Sequence, residues 1–376
     1  MNWKIPLFRI YWDEDDVKLV RQSIEKGMYW AVGPQVENFE KAVSEYTGRK
    51  YSVVFNSGTS ALHATLLAHG IGQGDEVIVP SFTFIATANA PLFVGARPVF
   101  ADIEEETYGI DPGDVKEKIN RKTKAIIPIH YGGCPCKIRE LREIAEDHGL
   151  LLIEDAAEAF GASIKGEKVG SFGDSAMFSF CQNKVITTGE GGAIVTDSKE
   201  IYEKLKLIRS HGRAENSNYF TSQKHMDYVD LGYNFRMSNL TAALGIAQLR
   251  KVDKIIELRR KNAEYLTRKL ANINEVTPPL SPEDYFHVYQ MYTIRVKNGR
   301  RDSLSDHLTR RGIMTKVFFH PVHLTHFYRK KLGYRTKLPV TEDVFRQVLT
   351  LPMYPGLTPE EMDYIINAVE GFFEVS

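Results

Sequence analysis

Short apolar runs that alternate with polar, helix-like stretches constrain the fold of this chain most strongly. The apolar runs lie at 51–55, 76–79, 98–100, 125–129 and 150–153. Polar stretches with a helical pattern separate several of them, for example at 135–148. Strands that are apolar throughout are typical of a parallel sheet covered by helices on both faces. We therefore predict an α/β fold with a mostly parallel, helix-flanked sheet.

A second, smaller unit is predicted beyond a long helix at 250–271. Strands at 289–296 and 315–319 and a final helix at 359–373 indicate an α+β arrangement there. A chain of 376 residues is long enough for two domains. We expect a large domain at 1–250 and a small C-terminal domain at 251–376.

Composition limits the partners and the compartment. Lysine plus arginine equal aspartate plus glutamate at 48 each, and no basic stripe or DNA-binding module is evident, so we expect no nucleic acid partner. The most apolar stretch, 78–94, is interrupted by prolines and polar residues, so we expect no membrane partner. The few cysteines do not form a disulfide framework, and we expect a cytoplasmic protein.

Two cysteines and two histidines are of residue types that bind metal ions. Cys134 and Cys136 are one residue apart, whereas zinc sites use wider spacing and more ligands. His320 and His323 flank a proline and have no evident third ligand. We predict a small buried cysteine pair with no assigned role, and no metal site.

The segment after the first strand combines a glycine with hydroxyl side chains. Ser57, Gly58 and Thr59 precede a helix predicted at 61–70, whose first amides lack intrahelical partners. Gly58 lets the backbone approach an anion, and the hydroxyls add donors, so this segment could bind a phosphate. An ordinary helix N-cap explains the same residues equally well.

Acidic residues end the apolar run at 150–153. Glu154 and Asp155 follow the leucines directly, and Glu158 lies three residues beyond Asp155. A carboxylate at the end of a buried strand is costly unless it meets a cationic partner. Magnesium held by Asp155 and Glu158 is one possibility. A protonated ring nitrogen beside Asp155 is another.

Lys184 lies between two apolar segments, 178–180 and 191–195, that we predict to be buried strands. Burial of an amine lowers its pKa, and the neutral amine is the form that attacks a carbonyl carbon. The alternative is a lysine whose stem is buried while its amine reaches solvent. A phosphate-binding turn, a strand-end aspartate and a buried lysine, in this order, match the parts of a pyridoxal 5′-phosphate site.

Several motifs in order extend that match over nearly the whole chain. They are GPQVENFE at 33–40, NSGTSAL at 56–62, PSFTFIAT at 80–87, EDAA at 154–157, TGEGG at 188–192 and GYNFRMS at 232–238. On these residues the chain resembles the DegT/DnrJ/EryC1/StrS family of sugar aminotransferases. The resemblance implies the type I aminotransferase fold and the cofactor pyridoxal 5′-phosphate.

The resemblance also implies site residues. Lys184 would bind the cofactor as a covalent Schiff base and move the proton, and Asp155 would keep the pyridine nitrogen protonated. The phosphate would meet Ser57, Gly58, Thr59 and Ser179. Phe84 would stack on the ring, although its own sequence context also suits core packing.

Three further implications concern the partner subunit, the subgroup and the substrate. Asn234 would reach the phosphate of a neighbouring subunit, which implies a homodimer, although a turn asparagine explains it too. Glu158 departs from the glutamine that many relatives carry to contact the cofactor oxygen, a feature tolerated in perosamine-synthase-like relatives. His211, Tyr292 and His323 are candidate substrate contacts.

The implied reaction is the transfer of an amino group from an amino acid, usually glutamate, to a nucleotide-linked keto sugar, a 4-keto-6-deoxyhexose. Alternatives are a pyridoxamine-phosphate-dependent sugar dehydratase, in which histidine replaces the lysine, and a non-catalytic regulatory protein. The motifs do not choose the sugar, the nucleotide, or amination at C3 against C4.

Overall fold

A seven-stranded sheet organises the first two thirds of the chain in the computed structural model, which describes residues 3–214, 223 and 225–374. The strands are β1 (Tyr51–Phe55), β2 (Glu76–Pro80), β3 (Arg97–Ala101), β4 (Thr123–Ile126), β5 (Leu151–Asp155), β6 (Ser163–Ile164), β7 (Glu167–Lys168), β8 (Ser175–Ser179), β9 (Gly192–Thr196), β10 (Val276–Thr277), β11 (Tyr285–Phe286), β12 (Tyr292–Val296) and β13 (Val348–Leu351). The α-helices are α1 (Glu14–Glu25), α2 (Pro34–Thr47), α3 (Gly58–Ala68), α4 (Ile85–Phe93), α5 (Pro112–Lys118), α6 (Ile138–His148), α7 (Lys199–Arg209), α8 (Asn239–Leu249), α9 (Val252–Leu270), α10 (Arg301–Arg310), α11 (Pro339–Gln347) and α12 (Pro359–Glu374).

The strand order of the large sheet is β1-β9-β8-β5-β4-β2-β3. Strands β8, β5, β4, β2 and β3 pair in parallel, and β9 runs antiparallel to both β1 and β8. β1 therefore points the same way as β8, and the carboxyl ends of β1, β2, β4, β5 and β8 share one edge. The prediction of a mostly parallel sheet flanked by helices is confirmed.

Helices cover both faces of this sheet because its strands are apolar on both sides. In β1, Val53 and Phe55 pack with residues of α3 and α7, whereas Val54 packs with α2 and α8 on the opposite face. All three side chains are buried. Two buried faces explain why these strands show continuous apolar runs rather than alternation.

A second core surrounds the antiparallel sheet β10-β12-β13 and the helices α9, α10 and α12. Ile5 belongs to this core and pairs with Ile313, so the N-terminal segment packs against the later part of the chain. β11 instead pairs with β6 of the earlier part. The division at residues 250 and 251 stays a proposal.

The predicted strand at 315–319 is wrong. Only a single bridge, between Lys316 and Thr350, joins this extended segment to the free side of β13. Further along, the carbonyl of Phe318 accepts a hydrogen bond from the hydroxyl of Tyr131. Because the Phe318 carbonyl is bonded to this side chain, it does not pair with β13, and the ladder does not continue.

Among the residues that the structure describes, no helix is both long enough and apolar enough to cross a membrane.

Gly192 offers a test of the packing between β9 and α3. A Cβ atom at this position would lie 2.7 Å from the Cα atom of Gly58, a backbone atom that has no room to move aside. We expect Gly192→Ala to lower the free energy of unfolding by about 1–3 kcal/mol. Urea unfolding measures the change. Gly356→Ala is the control, because no atom lies within 4 Å of its new Cβ, and an equal loss in both variants would contradict the packing argument.

Candidate active site

The predicted site residues gather at the shared carboxyl edge of the large sheet. Asp155 ends β5, Ser179 ends β8, and Ser57 follows β1 by two residues. Phe84 follows β2 after a short turn, and Lys184 lies in the connection between β8 and β9. Ligands of open α/β sheets bind at this edge, where strands end and helices begin.

Lys184 lies close to a carboxylate rather than in solvent. Its Nζ atom is 3.5 Å from Oε1 of Glu158, and the side chain of Lys184 is 13% exposed. The other carboxylate oxygen of Glu158 accepts a hydrogen bond of 2.8 Å from the backbone N–H of Gly132. Burial raises the pKa of Glu158, and the charge of Lys184 opposes that rise.

Asp155 is held by a chain of hydroxyl groups that the sequence analysis did not identify. Its Oδ2 atom accepts a hydrogen bond of 2.6 Å from Thr87, whose hydroxyl lies 2.7 Å from that of Thr83. Because Thr87 gives its proton to the carboxylate, Thr83 donates to Thr87. Burial raises the pKa of Asp155, and the bonds from Thr87 and from the Ala157 amide oppose that rise.

Glu154, next to Asp155, satisfies its charge on the other face of β5. Its oxygens lie 3.0 Å from Nε2 of His130 and 2.8–2.9 Å from the backbone N–H groups of Gly170, Phe172 and Gly173. Burial favours the neutral carboxyl, but His130 and the amides outweigh it and hold the pKa of Glu154 below its usual value. Glu154 is therefore a structural carboxylate.

The turn before α3 serves as a helix cap and also leaves donors free. The Ser57 hydroxyl accepts from the Ser60 amide at 3.0 Å, so the capping interpretation is correct for this side chain. The amides of Gly58 and Thr59 lie in the first turn of α3, where an amide has no intrahelical carbonyl to bond. A Cβ at Gly58 would lie 3.2 Å from that of Ser179, so glycine allows the turn and the end of β8 to approach closely. Amides and hydroxyls thus converge in a place suited to a phosphate.

Phe84 is not a core residue. It is 57% exposed at the N-cap of α4, and its ring centroid lies 6.2 Å from that of Phe319. An exposed aromatic ring at the carboxyl edge of the sheet is available to stack on a planar ligand.

Asn234 and His211 lie side by side near the turn before α3. Ser210 forms a bridge with Asn234, and the carbonyl of Asn234 accepts a hydrogen bond from the Asn56 side chain at 3.3 Å. Both Asn234 and His211 are exposed. Their side chains are therefore free to meet a ligand or another subunit.

The structure buries Tyr292 and His323 and pairs their polar atoms within the chain. Tyr292 is fully buried in the second core, and its hydroxyl lies 2.9 Å from that of Thr267. His323 is buried, with Nδ1 2.6 Å from the Ser81 hydroxyl and Nε2 3.4 Å from Glu342. Sequence patterns do not distinguish such packed rings from exposed ones, and the role of both residues as substrate contacts stays a prediction.

The structure also bears on the metal interpretation. The described part of the chain contains no group of three or more histidine, cysteine, aspartate or glutamate side chains arranged to hold a metal ion. Cys134 and Cys136 are buried, and burial raises the pKa of both thiols, which makes them poor nucleophiles.

Comparison with known proteins agrees with this geometry. The model of the DegT/DnrJ/EryC1/StrS aminotransferase family matches residues 11–370. The chain belongs to this family. A relative from Vibrio cholerae, GDP-perosamine synthase, is 38% identical over 98% of this chain and 99% of its own length.

Solved structures of aminotransferases share the fold. PseC of Helicobacter pylori, described as an aminotransferase involved in the biosynthesis of pseudoaminic acid, superposes with a TM-score of 0.92 at 30% identity, and all of both chains is covered. Spr1654 of Streptococcus pneumoniae, solved in its PLP-form, has a TM-score of 0.91 at 27% identity, covering 100% of this chain and 99% of its own. The predicted type I aminotransferase fold is confirmed.

Replacing Glu154 tests whether this carboxylate supports the site. We expect Glu154→Gln to lower the free energy of unfolding by about 2–4 kcal/mol, because the amide cannot replace the charge that His130 and three N–H groups surround. Since the pKa of Glu154 is depressed in the folded chain, its contribution is fully present above the unfolded pKa of about 4.3 and declines as the pH falls below it.

Urea unfolding of both proteins between pH 3 and 7 measures this effect. The difference between them should grow as the pH rises through 4 and should then stay constant. Glu146→Gln is the control, because this surface ion pair with Arg142 contributes less than about 1 kcal/mol. A difference that is independent of pH would contradict an ionised Glu154.

Proposed function

We propose that this chain is a pyridoxal 5′-phosphate-dependent aminotransferase that moves an amino group from an amino acid, expected to be glutamate, to the ketone of a nucleotide-linked sugar. The observation that carries the proposal is the convergence of Lys184, Asp155 and the turn at Gly58 on one edge of the sheet. Family membership supports the reaction type.

The residues present fit the cofactor. The amides of Gly58 and Thr59 and the Ser179 hydroxyl would hold the phosphate. The carboxylate of Asp155, oriented by Thr87, would bind the protonated ring nitrogen. A cationic partner there opposes the cost of burying Asp155, which otherwise raises its pKa.

Lys184 would form the covalent attachment through Nζ and would act as the proton carrier once the amino acid displaces it. The bound cofactor supplies an electron-withdrawing ring that accepts the electron pair left when Cα loses its proton. Lys184 is mostly buried, so Nζ would take that proton from Cα and pass it to the cofactor with little competition from water. In the second half of the reaction Nζ would move a proton in the opposite direction, onto the sugar carbon.

The sugar is the finer part of the proposal. The relative named GDP-perosamine synthase supports a nucleotide-linked substrate, and we propose a 4-keto-6-deoxyhexose. We place the reaction in the cytoplasm, a reducing compartment that suits cysteines held as free thiols. A panel of keto sugar nucleotides assayed with glutamate tests this part, and turnover of none of them would overturn it.

We further propose a homodimer in which Asn234 of each copy reaches the phosphate bound by the other. The exposure of Asn234 supports this arrangement, since its side chain is free for an intermolecular contact. A closed two-fold dimer would place two such sites at one interface.

Lys184→Ala provides the direct test of covalent attachment. The wild-type chain loaded with pyridoxal 5′-phosphate should be yellow, and borohydride should fix the cofactor to Lys184. The variant should show no fixed adduct and should lose at least about three orders of magnitude in transamination, because no other group holds the proton at Cα. Absorbance spectra, peptide mass spectrometry and amino-transfer rates measure these effects. Full turnover in the variant would contradict the role of Lys184.

Thr87 tests how Asp155 is held. We expect Thr87→Val, which removes the hydrogen bond to Oδ2, to weaken cofactor binding roughly tenfold, whereas Thr87→Ser keeps the hydroxyl and should stay near wild type. Fluorescence titration with pyridoxal 5′-phosphate measures the affinity. Wild-type affinity in Thr87→Val together with a loss in Thr87→Ser would show that the methyl packing matters and the hydrogen bond does not.

Mixing two defective variants tests the shared site. In a mixed dimer, one copy carries Lys184→Ala and the other carries Asn234→Ala. One of the two sites then combines an intact lysine with an intact asparagine from the partner. After unfolding and refolding together, at a cofactor concentration too low to load Asn234→Ala alone, the mixture should recover about a quarter of the wild-type activity. No recovery would place both residues in a site made by one chain.

A further inference from the structure

Glu158 is fixed at one oxygen and faces Lys184 with the other. The Gly132 N–H donates to Oε2 at 2.8 Å, and Oε1 lies 3.5 Å from Nζ of Lys184. The carboxyl group is only 3% exposed, so water does not compete for these positions. This contact joins two groups that the proposed reaction uses.

Two buried carboxyl groups share the charge of one lysine. Asp155 and Glu158 are both buried, they repel each other, and Lys184 attracts both. Two carboxylates and one ammonium would leave a net negative charge in a buried space, which favours a proton on one of the two carboxyl groups.

A carboxylate at position 158 has a chemical consequence that an amide would not have. Beside Lys184 it stabilises the ammonium, which cannot attack an aldehyde. An amide can donate a hydrogen bond, whereas a carboxylate can donate only after it has taken up a proton. For Lys184 to react, Glu158 must therefore change its protonation state. Glu158 must also be protonated if it is to donate a hydrogen bond to an anionic oxygen of the cofactor.

We propose that Glu158 is the internal proton acceptor for Lys184. One Nζ–H bond of the ammonium breaks, the proton moves to Oε1 of Glu158, and an ion pair becomes a neutral amine and a neutral carboxyl. No other reactant is needed. The flexible lysine side chain closes the 3.5 Å gap by a small rotation.

The fixed oxygen determines where the proton resides. Oε2 already accepts the Gly132 N–H, so the proton from Nζ goes to Oε1, the oxygen that lies 3.5 Å from it. The protonated Oε1 then faces the ligand side of the site as a hydrogen-bond donor. The inference rests on the proposed function, because Nζ must become neutral only if it forms the covalent attachment to the cofactor.

Several titratable groups face this pair from the neighbouring elements. Those with charge interactions on Glu158 or Lys184 are Asp155 at the end of β5, Tyr131 after β4 and Cys181 after β8. Burial raises the pKa of Tyr131 and of Cys181, so both stay neutral near pH 7. Of these three described residues, Asp155 is the one that can carry a charge near pH 7, and it is present in every variant used below.

Labelling of the cofactor-free chain tests the proton link without any catalysis. The full chain, stripped of cofactor, is pulsed with acetic anhydride between pH 6 and 11, and acetylation of Lys184 is measured by mass spectrometry. In Glu158→Gln the ammonium loses its carboxylate, so half-maximal labelling should occur at a pH lower by about one unit than in the wild type. Glu190→Gln, which removes an exposed carboxylate from the same connection, should match the wild type. Identical curves for all three proteins would overturn the proposal.

The absorbance of the loaded enzyme tests the donor role. With pyridoxal 5′-phosphate bound, the visible band of the wild type should change as Oε1 loses its proton with rising pH. Glu158→Gln donates at every pH and should keep the low-pH band throughout, whereas Glu158→Leu should never show it. A wild-type titration identical to that of Glu158→Leu would overturn the proposal. Failure of the proposed function gives a different result, since the wild type would then form no band and no borohydride-fixed adduct.

Discussion

The end of β5 places two consecutive carboxylates in the interior, and the site depends on how each is satisfied. Adjacent residues of a strand point to opposite faces, so Glu154 and Asp155 meet different surroundings. Glu154 receives N–H groups from 170–173 and the ring of His130, which connects the ends of β4 and β5 to the following loop. Asp155 receives a single hydroxyl from α4 and faces Lys184.

Because of this difference, Glu154 supports the fold, whereas Asp155 is the carboxylate suited to a ligand. A carboxylate surrounded by fixed donors on all sides is held in its charged form and has no capacity left for a ligand. Asp155 accepts from Thr87 at one oxygen and from the Ala157 amide at 3.2 Å at the other, and burial raises its pKa against the effect of these two bonds. A cationic ligand would offset the cost of burial. Asp155, the second carboxylate of the pair, therefore suits a cofactor, and Glu154, the first, does not.

The sequence predicted the parts of the site that are local. Lys184, Asp155 and the turn at Gly58 each stand beside a continuous apolar run, and a parallel sheet brings the ends of such runs to one edge. The supporting contacts are not local. His130 lies 24 residues from Glu154, and Thr87 lies 68 residues from Asp155, so no spacing rule connects them. Thr83 and Thr87 stand four residues apart, which was the one available signal.

The wrong strand prediction and the burial of two predicted contact residues have a related cause. The segment at 315–319 has a strand-like composition, but the carbonyl of Phe318 bonds to Tyr131, and only Lys316 pairs with β13. Tyr292 and His323 are polar aromatic residues, yet each uses its polar atoms on internal partners, Thr267 in one case and Ser81 in the other. Residue type indicates what a side chain can bind, but the tertiary structure decides whether those atoms are still available.

Exposure also explains why the motifs identify a reaction and not a sugar. The residues that would act on the cofactor, Asp155, Glu158 and Lys184, are buried or nearly so, and burial leaves them no surface with which to recognise a hexose. The exposed candidate contacts, Phe84, His211 and Asn234, lie outside the strands of the large sheet, after β2 and around 210 and 234. Under the proposed function, selection among sugars would depend on these exposed turns, and amino transfer would depend on the buried edge of the sheet.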